Sequence, residues 1–162
     1  MKGKIALILA AAMCAGGMAW ARVPVDDIAL GGLTPNVTEE DVISIYGEPD
    51  EKTDVKYDRY AWNAYVQQFK YGSTVNLNFV SRSADGPFYA TLVNTTANNG
   101  FNTPRGIHVG STRREVLDTY GYPDIGKPYE KQLWYKGRER AYDLVFHMEG
   151  DIVKSISIGY NA

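Results

Sequence analysis

The sequence predicts an α+β protein of two tandem repeats, each a short helical segment packed on an antiparallel sheet of three to four strands. Three observations carry this expectation. One thirteen-residue phrase is written twice, TEEDVISIYGEPD at 38–50 and TRREVLDTYGYPD at 112–124. Each copy is followed by runs in which apolar and polar residues alternate, the signature of half-buried strands. The composition, with 12 Tyr, 16 Gly and 44% hydrophobic residues, suits sheet and turn better than long helices. The second copy begins 74 residues after the first, at 112 against 38, which is too long for a solenoid unit and fits a duplicated small domain.

The first 21 residues stand apart. Lys2 and Lys4 precede an apolar run, Ile5 to Ala12, and small residues end in Ala19-Trp20-Ala21. This is the order of a secretory signal, with cleavage expected after Ala21. The apolar run is far shorter than the roughly 20 residues that cross a bilayer, so no transmembrane segment is expected in the mature chain. Cys14, the single cysteine, lies inside the signal, preceded by Met13 and with Ala11 where a lipoprotein usually has Leu. That context argues against lipid anchoring. The expected organisation is a signal peptide at 1–21, a first repeat at 22–99 and a second at 100–162. The mature chain is expected to be exported, periplasmic or extracellular, with no cysteine and a formal charge of −4 once Lys2 and Lys4 are gone. Nothing in it resembles a basic nucleic-acid footprint, and no nucleic-acid partner is expected.

Every shared residue of the phrase has a local task. Thr38 with Asp41, and Thr112 with Glu115, have capping-box spacing. Val42 and Tyr46 lie four apart on one helix face, as do Val116 and Tyr120. Gly47 and Gly121 follow each Tyr, where a left-handed helix stop is cheapest for glycine. Pro49 and Pro123 prevent the helix from resuming. Asp50 and Asp124 read as turn residues.

Strands follow. In the first half, 54–71 reads as a long strand or a hairpin bent near Asn63. Strands at 75–81 and 88–94 then flank a turn at Ser83 to Pro87. The join between the halves is the loop-like run 96–106. In the second half, strands are expected at 132–136, 141–148 and 152–158, with Glu149-Gly150-Asp151 as the tight turn. Alternation assigns Val75, Leu77, Phe79, Phe88, Ala90 and Leu92 to a core face, with Tyr142, Leu144, Phe146, Met148, Ile156 and Ile158. The opposite rows, Asn76, Asn78, Tyr89, Thr91, Asp143, His147, Ser155 and Ser157, make a polar face of low charge.

The pattern G-x-T-x-x-x-V-x-x-x-x-G-x-P, from Gly110 to Pro123, resembles the start of the helix in the BamE/SmpA/OmlA outer-membrane assembly lipoproteins. The tandem layout, a helical phrase plus a small antiparallel sheet given twice, is similar to that of β-lactamase inhibitor protein. The resemblance implies helices packed on one face of a sheet, and transfers no binding residue. Lipoproteins of the first family have one unit and the inhibitor family is usually disulfide-braced, whereas this chain has two units and a cysteine-free mature part.

Candidate chemistry is sparse. The two histidines, His108 and His147, stand in no nucleophile or zinc motif, so no catalytic residue, metal or cofactor is expected. The basic group Arg113, Arg114, Lys127, Lys131, Lys136, Arg138 and Arg140 leaves the second half near neutral. The clustered aromatics Tyr57, Tyr60, Trp62 and Tyr65 exceed what one strand face can bury. The expected function is therefore a non-enzymatic binding module for a protein or cell-envelope component, using the open sheet face. Its candidate residues are Trp62, Tyr65, Asn76, Asn78, Tyr89, Thr91, Asp143 and His147. The alternatives are a small envelope hydrolase using His147 and Asp143 as acid and base, and an envelope scaffold protein.

Overall fold

The computed structural model describes residues 22–138 and 142–160. The expected signal at 1–21, with Cys14, lies outside the described residues, as do Arg140 and the strand start expected at Ala141.

Each copy of the phrase forms the same clamp. The helices α1 (Glu39–Tyr46) and α2 (Arg113–Tyr120) both open with a closed capping box. The Thr38 hydroxyl accepts the Asp41 N–H at 3.1 Å and the Thr112 hydroxyl accepts the Glu115 N–H at 3.2 Å. Each acid accepts the N–H of its own cap in return. Both helices stop at glycine, with φ 80 and ψ −173 at Gly47 and φ 77 and ψ −157 at Gly121. The stop differs from the expected left-handed helical turn: positive φ with ψ near 180° is a region open essentially to glycine alone.

Side chains further along lock the clamp to the sheet. The Tyr71 hydroxyl donates to the Gly47 carbonyl at 2.8 Å, and Tyr135 donates to the Gly121 carbonyl at 2.9 Å. Asp50 accepts the Gly72 N–H at 2.5 Å, and Asp124 accepts the Lys136 N–H at 2.8 Å. The Asp that closes each phrase is thus a brace between a helix end and a strand end.

The strands are β1 (Glu51–Lys52), β2 (Lys56–Asp58), β3 (Ala64–Tyr71), β4 (Val75–Ser81), β5 (Tyr89–Thr95), β6 (Gln132–Lys136), β7 (Tyr142–Glu149) and β8 (Ile152–Tyr160). They form one sheet of eight antiparallel strands, in the order β1-β3-β4-β5-β8-β7-β6 with β2 also paired to β3. This corrects the expected fold of two repeats, each with its own small sheet under a helix. The ladder that overturns it joins β5 to β8, setting Leu92, Val93, Asn94 and Thr95 opposite Gly159, Ile158, Ser157 and Ile156. The fold is also more sheet-dominated than expected, with only two eight-residue α-helices among the described residues. Joining the halves hides two bare strand edges. It also merges two small cores into one, which suits a chain of this length.

That core lies on one face of the sheet. Phe69, Leu77, Phe79, Leu144, Phe146, Ile156 and Ile158 are fully buried there with Val42 of α1 and Val116 of α2. Both helices therefore cover the same face. The expected inward row breaks at Leu92. A bulge between β4 and β5 pairs Asn78 with Leu92 and Phe79 with Ala90, leaving Thr91 as the extra residue. Beyond the bulge Val93 takes the inward place and Leu92 turns to the open face, because one inserted residue inverts a period of two. Gly159 serves this spot: a β-carbon there would lie 2.6 Å from the Thr91 carbonyl oxygen. The 54–71 segment is a hairpin of β2 and β3. No helix among the described residues is long and apolar enough to cross a membrane.

Candidate functional site

Two loops at one end of the open face build a groove. The β2–β3 turn is fixed by Asp58, whose Oδ1 accepts the N–H groups of Ala61 and Tyr60, each at 2.9 Å. These bonds, Ala61 foremost, favour the charged carboxylate and hold Asp58 below its usual range. Within the same turn the Tyr57 hydroxyl donates to Asn63 Oδ1 at 2.9 Å, and Asn63 adopts φ 49. The turn delivers Trp62 beside Val80, with 40% of its surface exposed.

On the facing side runs the β4–β5 loop, where the Gly86 N–H donates to the Ser83 carbonyl at 3.2 Å and the Gly86–Pro87 peptide is cis. Tyr89 leaves this loop 42% exposed, and Tyr160, 48% exposed, arrives from the end of β8. Tyr160 is held edge-on against Tyr142, ring centres 5.1 Å apart. Thr91 lies in the floor, its hydroxyl donating to the Asn78 carbonyl at 3.2 Å. The groove encloses about 610 Å³, and a hollow of about 90 Å³ adjoins it between Trp62, Asn78 and Thr91.

The sequence-predicted residues divide. Trp62, Tyr89 and Thr91 line the groove, and Asn78 lines the adjoining hollow. Asn76 shares the open face further along β4, opposite Lys70 and Asn94. Tyr65 belongs to the other face: it pairs across from Ser81 and meets Tyr57 edge-on at 5.1 Å. Asp143 and His147 lie beyond the β5–β8 seam and line neither hollow.

Those two residues share the face of β7 but not a site. Four residues along one strand separate their backbones by roughly 13 Å, too far for direct proton exchange. Asp143 is 4% exposed, and its Oδ2 has no hydrogen-bond partner among the described residues. Burial pushes its carboxyl up, with Lys136 opposing and Asp124 adding to the rise. His147 lies 3.3 Å from the Gln132 side-chain amide through Nδ1, and burial pushes its imidazole down. Among the described residues no group of three or more His, Cys, Asp or Glu is placed to hold a metal ion.

Sequence reasoning missed Tyr160, Arg82, Val80 and Asn36 on the groove lining. Tyr160 and Asn36 come from opposite ends of the chain, and only long-range pairing brings them to β5. Asn36 donates through its amide to the Tyr142 hydroxyl, and its backbone N–H donates to the Ala90 carbonyl at 3.0 Å. Arg82 follows a strand directly in sequence, and its position after Ser81 at a strand end was a usable signal.

No family model matches the chain, and no curated protein matches it. Among solved structures it is similar to a DUF4309 family protein (YjgB) from Bacillus subtilis subsp. subtilis str. 168. The identity is 15%, covering 80% of this chain and 83% of that one, with a TM-score of 0.41. A likeness at that level carries no conclusion about fold or activity.

Proposed function

We propose that the protein is an exported, non-enzymatic binding module that recognises a protein or cell-envelope component through the open face of its sheet. The observation that carries this reading is the groove at one end of the sheet, where Trp62 and Tyr89 stand exposed on the face that neither helix covers. Exposed Trp and Tyr on a rigid sheet offer large, stiff, amphipathic contact surface at small entropic cost. Secretion is supported by the signal-like order of residues 1–21. The hydrolase alternative draws less support, because the roughly 13 Å between Asp143 and His147 leaves neither in reach of the other's proton.

The test is a capture from envelope extract with the chain from Arg22 onward, beside a Trp62→Ala/Tyr89→Ala variant and an Asp143→Asn/His147→Gln variant, all with matched melting curves. Partners lost by the first variant and kept by the second support recognition through the groove. Retention of every partner by the Trp62/Tyr89 variant would remove the groove from consideration.

A further inference from the structure

We infer that the groove takes an anionic saccharide, one or two sugar rings bearing a carboxylate. This rests on the binding reading above and names the ligand class of that same site. Charge comes first. Arg82 is the charged residue among the described lining residues of the groove; Asp58 lines the adjoining hollow, but its Oδ1 is taken up by the Tyr60 and Ala61 N–H groups. Arg82 makes no ion pair among the described residues, unlike the neighbouring strand cation Lys70, which holds Glu51 at 2.6 Å. A guanidinium left free beside an apolar wall is matched by a carboxylate, which it can bind through two parallel hydrogen bonds.

The walls decide the rest of the ligand. Trp62 and Tyr89 present ring surface, with Tyr160 at the margin held against Tyr142, and rings of this kind pack against flat amphipathic partners. A pyranose ring is such a partner, with C–H patches on its faces and hydroxyls around its edge. Asn63 stands on the rim with its Oδ1 engaged by Tyr57, which leaves its amide N–H groups as donors for hydroxyl oxygens. A volume of about 610 Å³ falls within the range of small-molecule sites and is open enough for a chain to continue past it.

An extended peptide fits less well, because strand addition needs a bare backbone edge. At the groove β4 is paired on both sides, and the free end of β5 is already taken by 36–39. There the Ala90 N–H donates to Val37 at 2.9 Å and the Glu39 N–H donates to Phe88 at 3.1 Å. Recognition must then come from side chains, through stacking and the Arg82 cation.

Calorimetric titration of the chain from Arg22 onward tests this, using N-acetylmuramic acid, neutral N-acetylglucosamine and a proline-rich decapeptide as probes. The acidic sugar should bind, and Arg82→Gln should weaken it about tenfold or more while leaving the neutral sugar unchanged. Trp62→Ala should weaken both sugars, and Arg82→Gln, at an exposed site, should melt as the parent does. Equal affinity of the two sugars in parent and Arg82→Gln, or binding of the peptide alone, would overturn the inference. The two levels separate cleanly. If the Trp62/Tyr89 variant loses its envelope partner yet neither sugar binds the parent, the saccharide falls and the binding module stands. If that variant keeps every partner and neither sugar binds the parent, both fall.

Discussion

On either side of the β5–β8 seam the molecule repeats its skeleton and changes its surface. Both halves carry the boxed helix, the glycine stop, the Tyr-to-carbonyl bond and the Asp brace, at nearly equal distances. Their open faces diverge. The first half adds the β2–β3 turn with Trp62, and a groove results. In the second half Trp134 stands opposite Val145, its indole N–H held by Gln132 at 3.0 Å, and Val145 is 6% exposed. What is duplicated is therefore what makes the fold, and the candidate site is built from what is not. A repeat found in a sequence points to architecture, and the search for function should start where the copies disagree.

The strongest challenge to this comparison is to ask whether the halves stand or fall together. Phe79→Ala and Phe146→Ala remove fully buried rings from opposite sides of the seam, and each should cost about 3–5 kcal/mol. Because the core is continuous, urea unfolding followed by circular dichroism and by tryptophan fluorescence should give one coincident transition in both variants. Two separated transitions would mean that the halves fold independently despite the shared sheet.

Next come the glycine stops. Gly47→Ala and Gly121→Ala force a β-carbon into a backbone region that alanine avoids, at a cost of about 1–3 kcal/mol each. Apart from the adjoining residues of the chain, no atom of the described residues lies within 4 Å of the added carbon at either position, so the two costs should be alike. A marked inequality in denaturation midpoint would show that the clamps, equal in geometry, are unequal in strain. The caps sharpen the same point on a smaller scale. Thr38→Ala and Thr112→Ala should each cost about 1 kcal/mol, read from the same unfolding curves.

The subtlest difference is in pH. Asp143 has its pKa raised by folding, so the folded state holds its proton more tightly than the unfolded chain. Its contribution is full below the ordinary aspartate range and is lost as pH rises through the raised value. His147 is shifted down, so its contribution is present above the ordinary histidine value and fades as pH falls through the lowered one. Asp143→Asn should therefore raise the melting temperature at neutral pH and lose that advantage in acid. His147→Gln should blunt the loss of stability between neutral and mildly acidic pH. Among the described residues the first half has no buried Asp or His on its open face, and groove variants such as Tyr89→Ala, which leave the Asp58 turn intact, should leave the pH profile of stability unchanged.

Local chemistry was legible in the sequence, and pairing was not. The capping boxes, the glycine stops, the hairpin bent at Asn63 and most inward-facing residues could be read from spacing, because each depends on neighbours a few positions away. The seam could not, since Val93 and Ile158 meet across 65 positions and alternation says nothing about which edge seeks which. The bulge at Thr91 was equally silent. It reversed Leu92, and only Gly159, far along the chain, hints at the close approach it requires. For the site, exposed aromatics pointed to Trp62 and Tyr89, which the structure places on the groove lining. The same face logic grouped Asp143 and His147 with them, but a shared face does not bring residues within reach of each other, and the pleat turns Tyr65 to the other side.

The seam has a consequence for what a broken chain would do. A cut in the loop between Thr96 and Arg105 would leave two fragments, each ending its sheet at a strand whose backbone groups had lost their partners. Such edges recruit strands. Since β5 and β8 run antiparallel and the sheet order is mirrored about them, a fragment could satisfy its edge with its natural counterpart or with a second copy of itself. The same four-residue ladder that makes one sheet of two halves is thus a ready point for fragment complementation, and for exchange between molecules.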